Sequence, residues 1–170
     1  RAWQTWKGLR DPLTPVLELF LQRTGIAPVR SLSLSNACAS SHGAFFTADL
    51  WLKARLCDFV WVCAVDEIGP FIENGFRSLQ AICRSVPRPF SGDRDGLALG
   101  EAAAALGLSR DPSPWMVEAV ALVTEGIALT RPSAEGLGLE RACHQAALGK
   151  VDFIIAHGTG TPTNDVTEDR

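Results

Sequence analysis

Apolar side chains recur at helical intervals in three parts of the chain. Residues 12–23 (PLTPVLELFLQR) place valine, leucine and phenylalanine at such intervals, and Gly25 follows as a stop signal. The longer stretch 39–56 (ASSHGAFFTADLWLKARL) is helical by composition, and 136–148 (GLGLERACHQAAL) carries Leu139 and other small or apolar side chains on one side. The pattern therefore predicts three helices.

Other parts of the chain have the spacing of strands. VRSLSLS (29–35) alternates, which predicts a strand with one buried face. DFVWVCAV (58–65) is continuously apolar, which is typical of a parallel strand buried on both faces. Further strands are predicted at 116–123 (MVEAVALV) and 151–156 (VDFIIA), the second of them buried. A segment rich in proline, glycine and charge, 83–96, predicts a loop.

Helices that alternate with continuous apolar strands indicate a layered α/β fold with a largely parallel sheet. In such sheets, reactive groups gather where strands end and helices begin. Two strand ends of this chain are unusual in that respect. SLSLSNAC delivers a thiol, and VDFIIAHGTGT delivers an imidazole.

Composition narrows the function classes without choosing among them. The chain has 170 residues, 46% hydrophobic and 21% charged, as expected of about one globular domain. A net charge of −3 without a long basic run gives no reason to expect a nucleic-acid partner. The apolar runs are too short to cross a bilayer, and no secretory signal pattern is visible. Five irregularly spaced cysteines without a CxxC pair argue against a disulfide framework or a zinc site, so we expect a cytoplasmic protein.

Cys38 is the first candidate for chemistry. It follows a predicted strand at the first turn of a predicted helix, where backbone N–H groups favour a thiolate. Small neighbours on both sides leave room for an acyl group. The alternative is a small buried residue, which is how we interpret the remaining cysteines: Cys57, Cys63, Cys83 and Cys143.

His157 is the second candidate, because it ends an apolar strand and opens a turn of glycine and threonine. The glycines permit unusual backbone angles and close approach of a substrate. Thr159 and Thr161 supply hydroxyls for hydrogen bonds. We interpret His42 and His144, which lie within predicted helices, as ordinary helix residues.

Three motifs, NACASS (36–41), RPFSGDRDGLALGEAAAAL (88–106) and AHGTGTPTND (156–165), together resemble the β-ketoacyl-[acyl-carrier-protein] synthases. Their order and approximate spacing match that family, and AVDEIGPF…GFRSLQAI (64–82) resembles the segment after its nucleophile helix. The resemblance covers roughly residues 29–168. It implies a thiolase-like layered fold of the type α-β-α-β-α.

The resemblance also implies roles for individual residues. Cys38 would accept an acyl chain as a thioester, its backbone N–H contributing to an oxyanion hole. His157 would help to decarboxylate a malonyl unit and stabilise the enolate oxygen. Asp165 and Glu168 match the acidic positions after the histidine loop, the glutamate lying in a polar network with a lysine. From the residues alone, either carboxylate could instead cap a following helix.

The resemblance implies that the chain is a central fragment of a ketosynthase domain, truncated at both ends. The nucleophile region would be about 29–108 and the first catalytic-histidine region about 115–170. A second histidine, a lysine and a glycine–phenylalanine loop are expected outside the chain. Residues 109–128 lack the usual Asp-Ala-His/Tyr pattern, and Cys63 and Ala64 stand where glycines are common.

By the same resemblance, the parent protein would perform a decarboxylative condensation in fatty-acid or polyketide synthesis. It would work with an acyl carrier protein and need no cofactor beyond the carrier's phosphopantetheine. We expect a homodimer, or a heterodimer with a related subunit, whose interface lies near the strand before Cys38. The main alternative is a catalytically incomplete remnant or carrier-binding module. A chain-length-factor type of subunit, a degradative thiolase or chalcone-synthase-like enzyme, and a cysteine hydrolase also stay open.

Overall fold

The computed structural model describes residues 13–128, 131–147 and 149–170. The predicted helices at 12–23, 39–56 and 136–148 are confirmed, although residues 12 and 148 themselves lie outside the described part. In chain order the elements are α1 (Leu13–Thr24), α2 (Ser40–Lys53), β1 (Phe59–Asp66), α3 (Pro70–Ser78), β2 (Ala102–Ser109), α4 (Leu137–Ala146) and α5 (Pro162–Glu168).

Two short helices, α3 and α5, were not predicted from apolar spacing. Helix α5 is largely polar, and α3 has Phe71, Ile72 and Phe76 but only nine residues. Each begins with a proline at its first helical position, where the fixed φ favours a helix and no N–H is lost from the hydrogen-bonded turns. On α3, Glu73 and Arg77 form an exposed ion pair four residues apart. Both helices begin on a local signal, a proline, and both are shorter than α1, α2 and α4, so apolar spacing has few residues in which to recur.

Helix α2 packs on β1, and this contact contains the buried apolar residues of the structure. Ala48 and Leu52 of α2 are buried, as is Val62 of β1. Strands β1 and β2 pair antiparallel, from Phe59 opposite Ser109 to Asp66 opposite Ala102. The strand at 58–65 is therefore confirmed.

The expected environment of β1 is wrong, because the strand is antiparallel and has only one covered face. Side chains alternate across a strand, so the face with Val62 meets α2 and the opposite face carries Phe59 and Trp61. Those two rings pack edge to face, 5.3 Å apart, and both are exposed. A continuous apolar run shows that both faces of a strand can be buried. Burial of the second face also requires another layer of structure packed on it.

The other predicted strands, at 29–35, 116–123 and 151–156, are not hydrogen-bonded strands in the structure. Val29 is 93% exposed and Ile155 is 88% exposed. An extended segment becomes a strand only when a neighbour accepts and donates its backbone hydrogen bonds. Within the described residues, the one sheet is the β1–β2 pair, so the prediction of a largely parallel sheet is also not met there.

Residues 83–96 form a loop, as predicted, and its ends are held together. The Cys83 N–H donates to the Leu97 carbonyl and the Leu97 N–H donates to the Ala81 carbonyl, at 2.9 and 2.8 Å. Gly96, next to Leu97 in this contact, has a φ of +147°. Across the described ranges, no helix combines the length and the hydropathy that a bilayer crossing requires.

We predict that Gly96→Ala destabilises the protein by about 3 kcal/mol. The added methyl group would clash with backbone atoms, and the positive φ of this residue is strained for any residue with a Cβ. A Cβ at this position would lie 2.5 Å from the Ala81 carbonyl oxygen and 2.6 Å from the Cys83 nitrogen. The measurement is urea unfolding. Gly92→Ala in the same loop is the matched control, since a Cβ added at Gly92 would meet nothing within 4 Å. Equal stability of the two variants would contradict the prediction.

Candidate active site

Cys38 lies in a sharp turn that joins an extended segment to α2. Ala37 has a left-handed backbone with φ +46°, and residues 36 and 38 form an isolated bridge around it. The Ser40 hydroxyl accepts the Asn36 N–H and donates to the Ala37 carbonyl, both at 2.7 Å. A non-glycine residue in this backbone region costs about 1–3 kcal/mol, and the serine hydroxyl holds it there.

The turn presents Cys38 to solvent just before a helix N-terminus. Ala39 is the N-cap of α2, and no side chain caps its free N–H groups. The partial positive charge of that helix end therefore lies next to an exposed thiol. The structure places Cys38 one residue before the cap, so the thiol stands slightly ahead of the predicted first turn. The interpretation of Cys38 as a buried residue is wrong.

The remaining cysteines are not uniformly buried either. Cys63 and Cys143 are exposed, so their interpretation as small buried residues is wrong, while Cys57 and Cys83 are partly buried. Exposure alone therefore does not single out Cys38; the strained turn and the helix end do. Within the described ranges, no group of three or more histidine, cysteine or acidic side chains comes together as a metal site.

The histidine loop, residues 157–161, is held by a carboxylate from the end of α5. Glu168 accepts the N–H of His157 on one oxygen and the N–H of Gly158 on the other, both at 2.7 Å. The Asn164 side chain donates to Glu168 at 3.0 Å. The His157 side chain is exposed above this arrangement.

Asp165 holds the other end of the same loop from inside the protein. Its carboxylate is 1% exposed and accepts the Gly160 N–H at 3.0 Å and the Phe90 N–H at 2.7 Å. Arg94 approaches the second of these oxygens at 3.7 Å. Both acids thus bind backbone N–H groups of the loop before α5 and of the 88–96 loop, and no side chain caps α5, so the expectation that either carboxylate caps a following helix is not met.

Thr159 and Thr161 bond to each other. Their hydroxyl oxygens lie 2.9 Å apart, and the Thr161 N–H donates to the Thr159 hydroxyl at 3.3 Å. Thr161 is also the N-cap residue of α5. The two hydroxyls therefore form one small polar surface at the start of this helix, beside the histidine.

Gly160 fits where no other residue would. Its φ is +74°, and its carbonyl accepts the Gly96 N–H at 3.0 Å. A Cβ on Gly160 would lie 2.6 Å from the Gly96 carbonyl oxygen. The glycines of the HGTGT motif thus allow the histidine loop to lie directly against the 88–96 loop.

An open groove of about 300 Å³ lies between the start of α2, the 121–125 segment, α4 and α5, and neither Cys38 nor His157 lines it. Ala39 and His42 line it at the start of α2, and Thr167 lines it on α5. His42 is otherwise an exposed helix residue, as predicted, and so is His144 on α4. No hydrogen bond within the described ranges joins Cys38 to the histidine loop. The structure therefore brings together His157, Thr159, Thr161, Asp165 and Glu168, and Cys38 lies in a separate turn.

Glu125 shapes one wall of the groove, and the sequence did not predict this role. It accepts the Ser133 N–H at 2.7 Å and the Gly138 N–H at 2.8 Å, and these two bonds lower the pKa of its carboxyl. The Ser133 carbonyl in turn accepts the Thr167 hydroxyl of α5 at 3.2 Å. One carboxylate thus ties the 121–125 segment to the start of α4. A glutamate without a neighbouring partner in sequence gives no signal of such a role.

Comparisons with known proteins identify the family of the chain. Residues 29–113, half of the chain, match the family described as "Beta-ketoacyl synthase, N-terminal domain". The chain is 33% identical over 159 residues to the 3-oxoacyl-[acyl-carrier-protein] synthase 2 of Synechocystis, covering 79% of this chain and 37% of that protein. It is 30% identical over 150 residues to nodulation protein E of a Rhizobium strain, with the same two coverages.

Among solved structures, the chain is similar to a ketosynthase of Xenorhabdus doucetiae that was solved in complex with its chain length factor. The TM-score is 0.80 at 29% identity, over 87% of this chain and 38% of that one. The layered α/β class predicted from the sequence is therefore confirmed as that of the ketosynthases. The chain belongs to the β-ketoacyl synthase family. It spans less than two fifths of the length of these relatives.

The lowered pKa of Glu125 predicts a pH-dependent stability that a glutamine would remove. A carboxyl whose pKa is lower in the folded state stabilises the protein above its unfolded pKa, and this stabilisation is lost as pH falls through the folded value. From the ordinary value of 4.5 downward, the free energy of unfolding of the wild type should therefore fall more steeply with decreasing pH than that of Glu125→Gln.

Urea unfolding at several pH values between neutrality and about pH 3 measures this slope. Glu118→Gln is the matched control, because Glu118 is exposed on the same stretch of chain. It should retain the slope of the wild type. A Glu125→Gln variant with an unchanged slope would show that the two N–H bonds do not bind the carboxylate preferentially.

Proposed function

We propose that the protein carrying this chain is a β-ketoacyl-[acyl-carrier-protein] synthase, a transferase that joins acyl units in fatty-acid or polyketide synthesis. The reaction is a decarboxylative condensation of an acyl thioester on Cys38 with a malonyl group on a carrier protein. Membership of the family supports the class of reaction. The observation that carries the proposal is the histidine loop, because Glu168 fixes the backbone of His157 while leaving its side chain exposed.

In the first step, the Cys38 thiolate attacks the carbonyl carbon of the acyl thioester. A new S–C bond forms, the S–C bond to the carrier breaks, and the sulfur of the carrier's phosphopantetheine leaves as a thiolate. The exposed thiol just before the start of α2, which no side chain caps, supports this role. The Cys38 N–H is proposed to donate to the carbonyl oxygen as charge develops there.

In the second step, the malonyl group loses carbon dioxide, and its carbanion attacks the acyl carbon on Cys38. The new C–C bond forms as the S–C bond breaks and the thiolate is regenerated. The His157 imidazole is proposed to donate a hydrogen bond to the enolate oxygen during decarboxylation. Its backbone anchor to Glu168 supports this role, because such a donor is effective only when it is held in place.

Four residues are proposed to support the two steps. Thr159 and Thr161 present adjacent hydroxyls beside His157, suited to the polar arm of a carrier. Asp165 and Glu168 hold the loop through its backbone. We propose that no cofactor resides in the protein, the substrates arriving on the phosphopantetheine of an acyl carrier protein.

The proposed partners follow from the relatives. The Synechocystis relative is named for an acyl-carrier-protein substrate, and the Xenorhabdus ketosynthase was solved with its chain length factor. We propose an acyl carrier protein as substrate donor and either a homodimer or a heterodimer with a related subunit. A cytoplasmic location is supported by five free cysteines, of which two besides Cys38 are exposed to solvent.

We predict that an epoxide that mimics an acyl thioester labels Cys38 before any other cysteine. Cys63 and Cys143 are the internal controls, because both are exposed like Cys38 but lack its turn and helix end. Mass mapping of peptides at short reaction times measures the order. Labelling of Cys63 or Cys143 first would contradict the assignment of the nucleophile.

We further predict that Cys38→Ala abolishes condensation by the protein expressed from its complete gene, because no thioester can form. The measurement is the 3-ketoacyl product on the carrier protein, detected by mass spectrometry. Cys63→Ala should retain wild-type product formation. Unchanged product in the Cys38→Ala variant would overturn the mechanism, and an inactive wild type would support a non-catalytic subunit or remnant instead.

A further inference from the structure

Asp165 lies between two loops that come from distant parts of the sequence. One of its oxygens accepts the N–H of Gly160 in the histidine loop, and the other accepts the N–H of Phe90 in the 88–96 loop. The residues in the second bond are 75 positions apart. Phe90 adopts a left-handed backbone, φ +62°, as it makes this bond, and its ring lies beside Gly158. This buried carboxylate therefore joins the two loops, beside the bond from the Gly96 N–H to the Gly160 carbonyl.

Arg94 is the cation that accompanies this carboxylate. Its side chain is 17% exposed, and its Nε lies 3.7 Å from Asp165 without a hydrogen-bond partner of its own. The two ends of the guanidinium are anchored elsewhere: Nη1 donates to the Ser91 carbonyl at 2.7 Å and Nη2 to the Pro162 carbonyl at 3.1 Å. Arg94 thus contacts its own loop, the start of α5 and the Asp165 carboxylate.

A buried carboxylate needs compensation for the water that it has lost. Two backbone N–H groups supply part of it, and the Asn164 side chain donates to the same carboxylate at 3.4 Å. Within the described residues, Arg94 is the ion-pair partner of Asp165. Removal of one member of a buried pair is strongly destabilising, because the other charge is left uncompensated. Without Arg94, the carboxylate would turn toward solvent and release the Gly160 N–H.

We propose that Arg94 is a positioning residue for His157: its charge holds Asp165 inward, and Asp165 fixes the histidine loop at Gly160. The proposal rests on the proposed function as far as catalysis is concerned. Glu168 fixes the start of the loop and the Arg94–Asp165 pair fixes its end, so both are needed for one position of the imidazole. A displacement of about 1 Å at such a group can cost about a hundredfold in rate.

The test compares Arg94→Gln with Arg88→Gln in the protein expressed from its complete gene. Arg88 is the matched control, because it lies in the same loop and pairs with Asp93, both side chains being largely exposed. We expect Arg94→Gln to lower the kcat of condensation by about tenfold or more, with the KM for the malonyl carrier within about twofold. Arg88→Gln should stay within about twofold of the wild type in both constants, as expected for an exposed pair.

Two further variants separate positioning from general damage. Arg94→Lys keeps the charge and should recover part of the lost kcat. The double variant Arg94→Gln/Asp165→Asn should be no slower than Arg94→Gln alone, because the stranded charge is removed together with its partner. Epoxide labelling of Cys38 should proceed normally in all of them, which excludes unfolding as the cause. Additive losses, or a lowered affinity with unchanged kcat, would overturn the proposal.

Hydrogen–deuterium exchange of the peptide spanning 157–165 reads the position of the loop without turnover. Arg94→Gln should exchange this peptide at least about tenfold faster than Arg88→Gln, because the Gly160 N–H has lost its acceptor. If the wild type does not condense substrates, the proposed function fails and this measurement still decides the role of Arg94. Equal exchange in the two variants would show that Arg94 does not hold the loop.

Discussion

The geometry of the histidine loop depends on one buried charge. Asp165 accepts backbone N–H groups from two loops, and no neutral side chain of its size could accept both with equal strength. The close contact between Gly96 and Gly160 brings the loops near enough for this, and the left-handed backbone of Phe90 aims its N–H inward. The strain at Phe90, the lack of side chains at the glycines and the burial of Arg94 are therefore parts of one arrangement. Each of them would be costly without the carboxylate.

The turn at Cys38 is likewise held by local polar contacts. One serine hydroxyl accepts from Asn36 and donates to Ala37, which fixes the strained backbone that leads the chain into α2. The helix then offers its uncapped end to the thiol. In both places a polar side chain close in sequence holds the backbone, while the group proposed to react remains exposed. Thr167 of α5 lines the groove beside the start of α2, and Glu125 and Ser133 connect the wall of the groove to that threonine.

The sequence predicted three of the five described helices and the separate motifs, because their signals are local. Apolar spacing revealed α1, α2 and α4, and the glycines and threonines around His157 revealed a tight loop. It did not predict that Asp165 would bond to Phe90, because no pattern reports a contact across 75 residues. The motif RPFSGDRDG contains both Arg88 and Arg94. Its sequence does not show that Arg94 is largely buried and Arg88 largely exposed. Only burial separates the two, and burial is a property of the folded loops.

The failed strand predictions have the opposite cause. Residues 151–156 carry a strong signal for a buried strand, and Ile155 is nevertheless almost fully exposed. Apolar content reports what a segment gains by burial, whereas a strand also needs neighbours for its backbone and layers for its faces. The chain spans less than two fifths of its relatives, so the signal describes an environment larger than these residues provide. The histidine loop differs from these strands because its contacts are local. Glu168 and Asp165 lie within 11 residues of the loop N–H groups that they accept. Short-range polar contacts therefore preserve the geometry of the loop, although apolar faces elsewhere in the same chain remain uncovered.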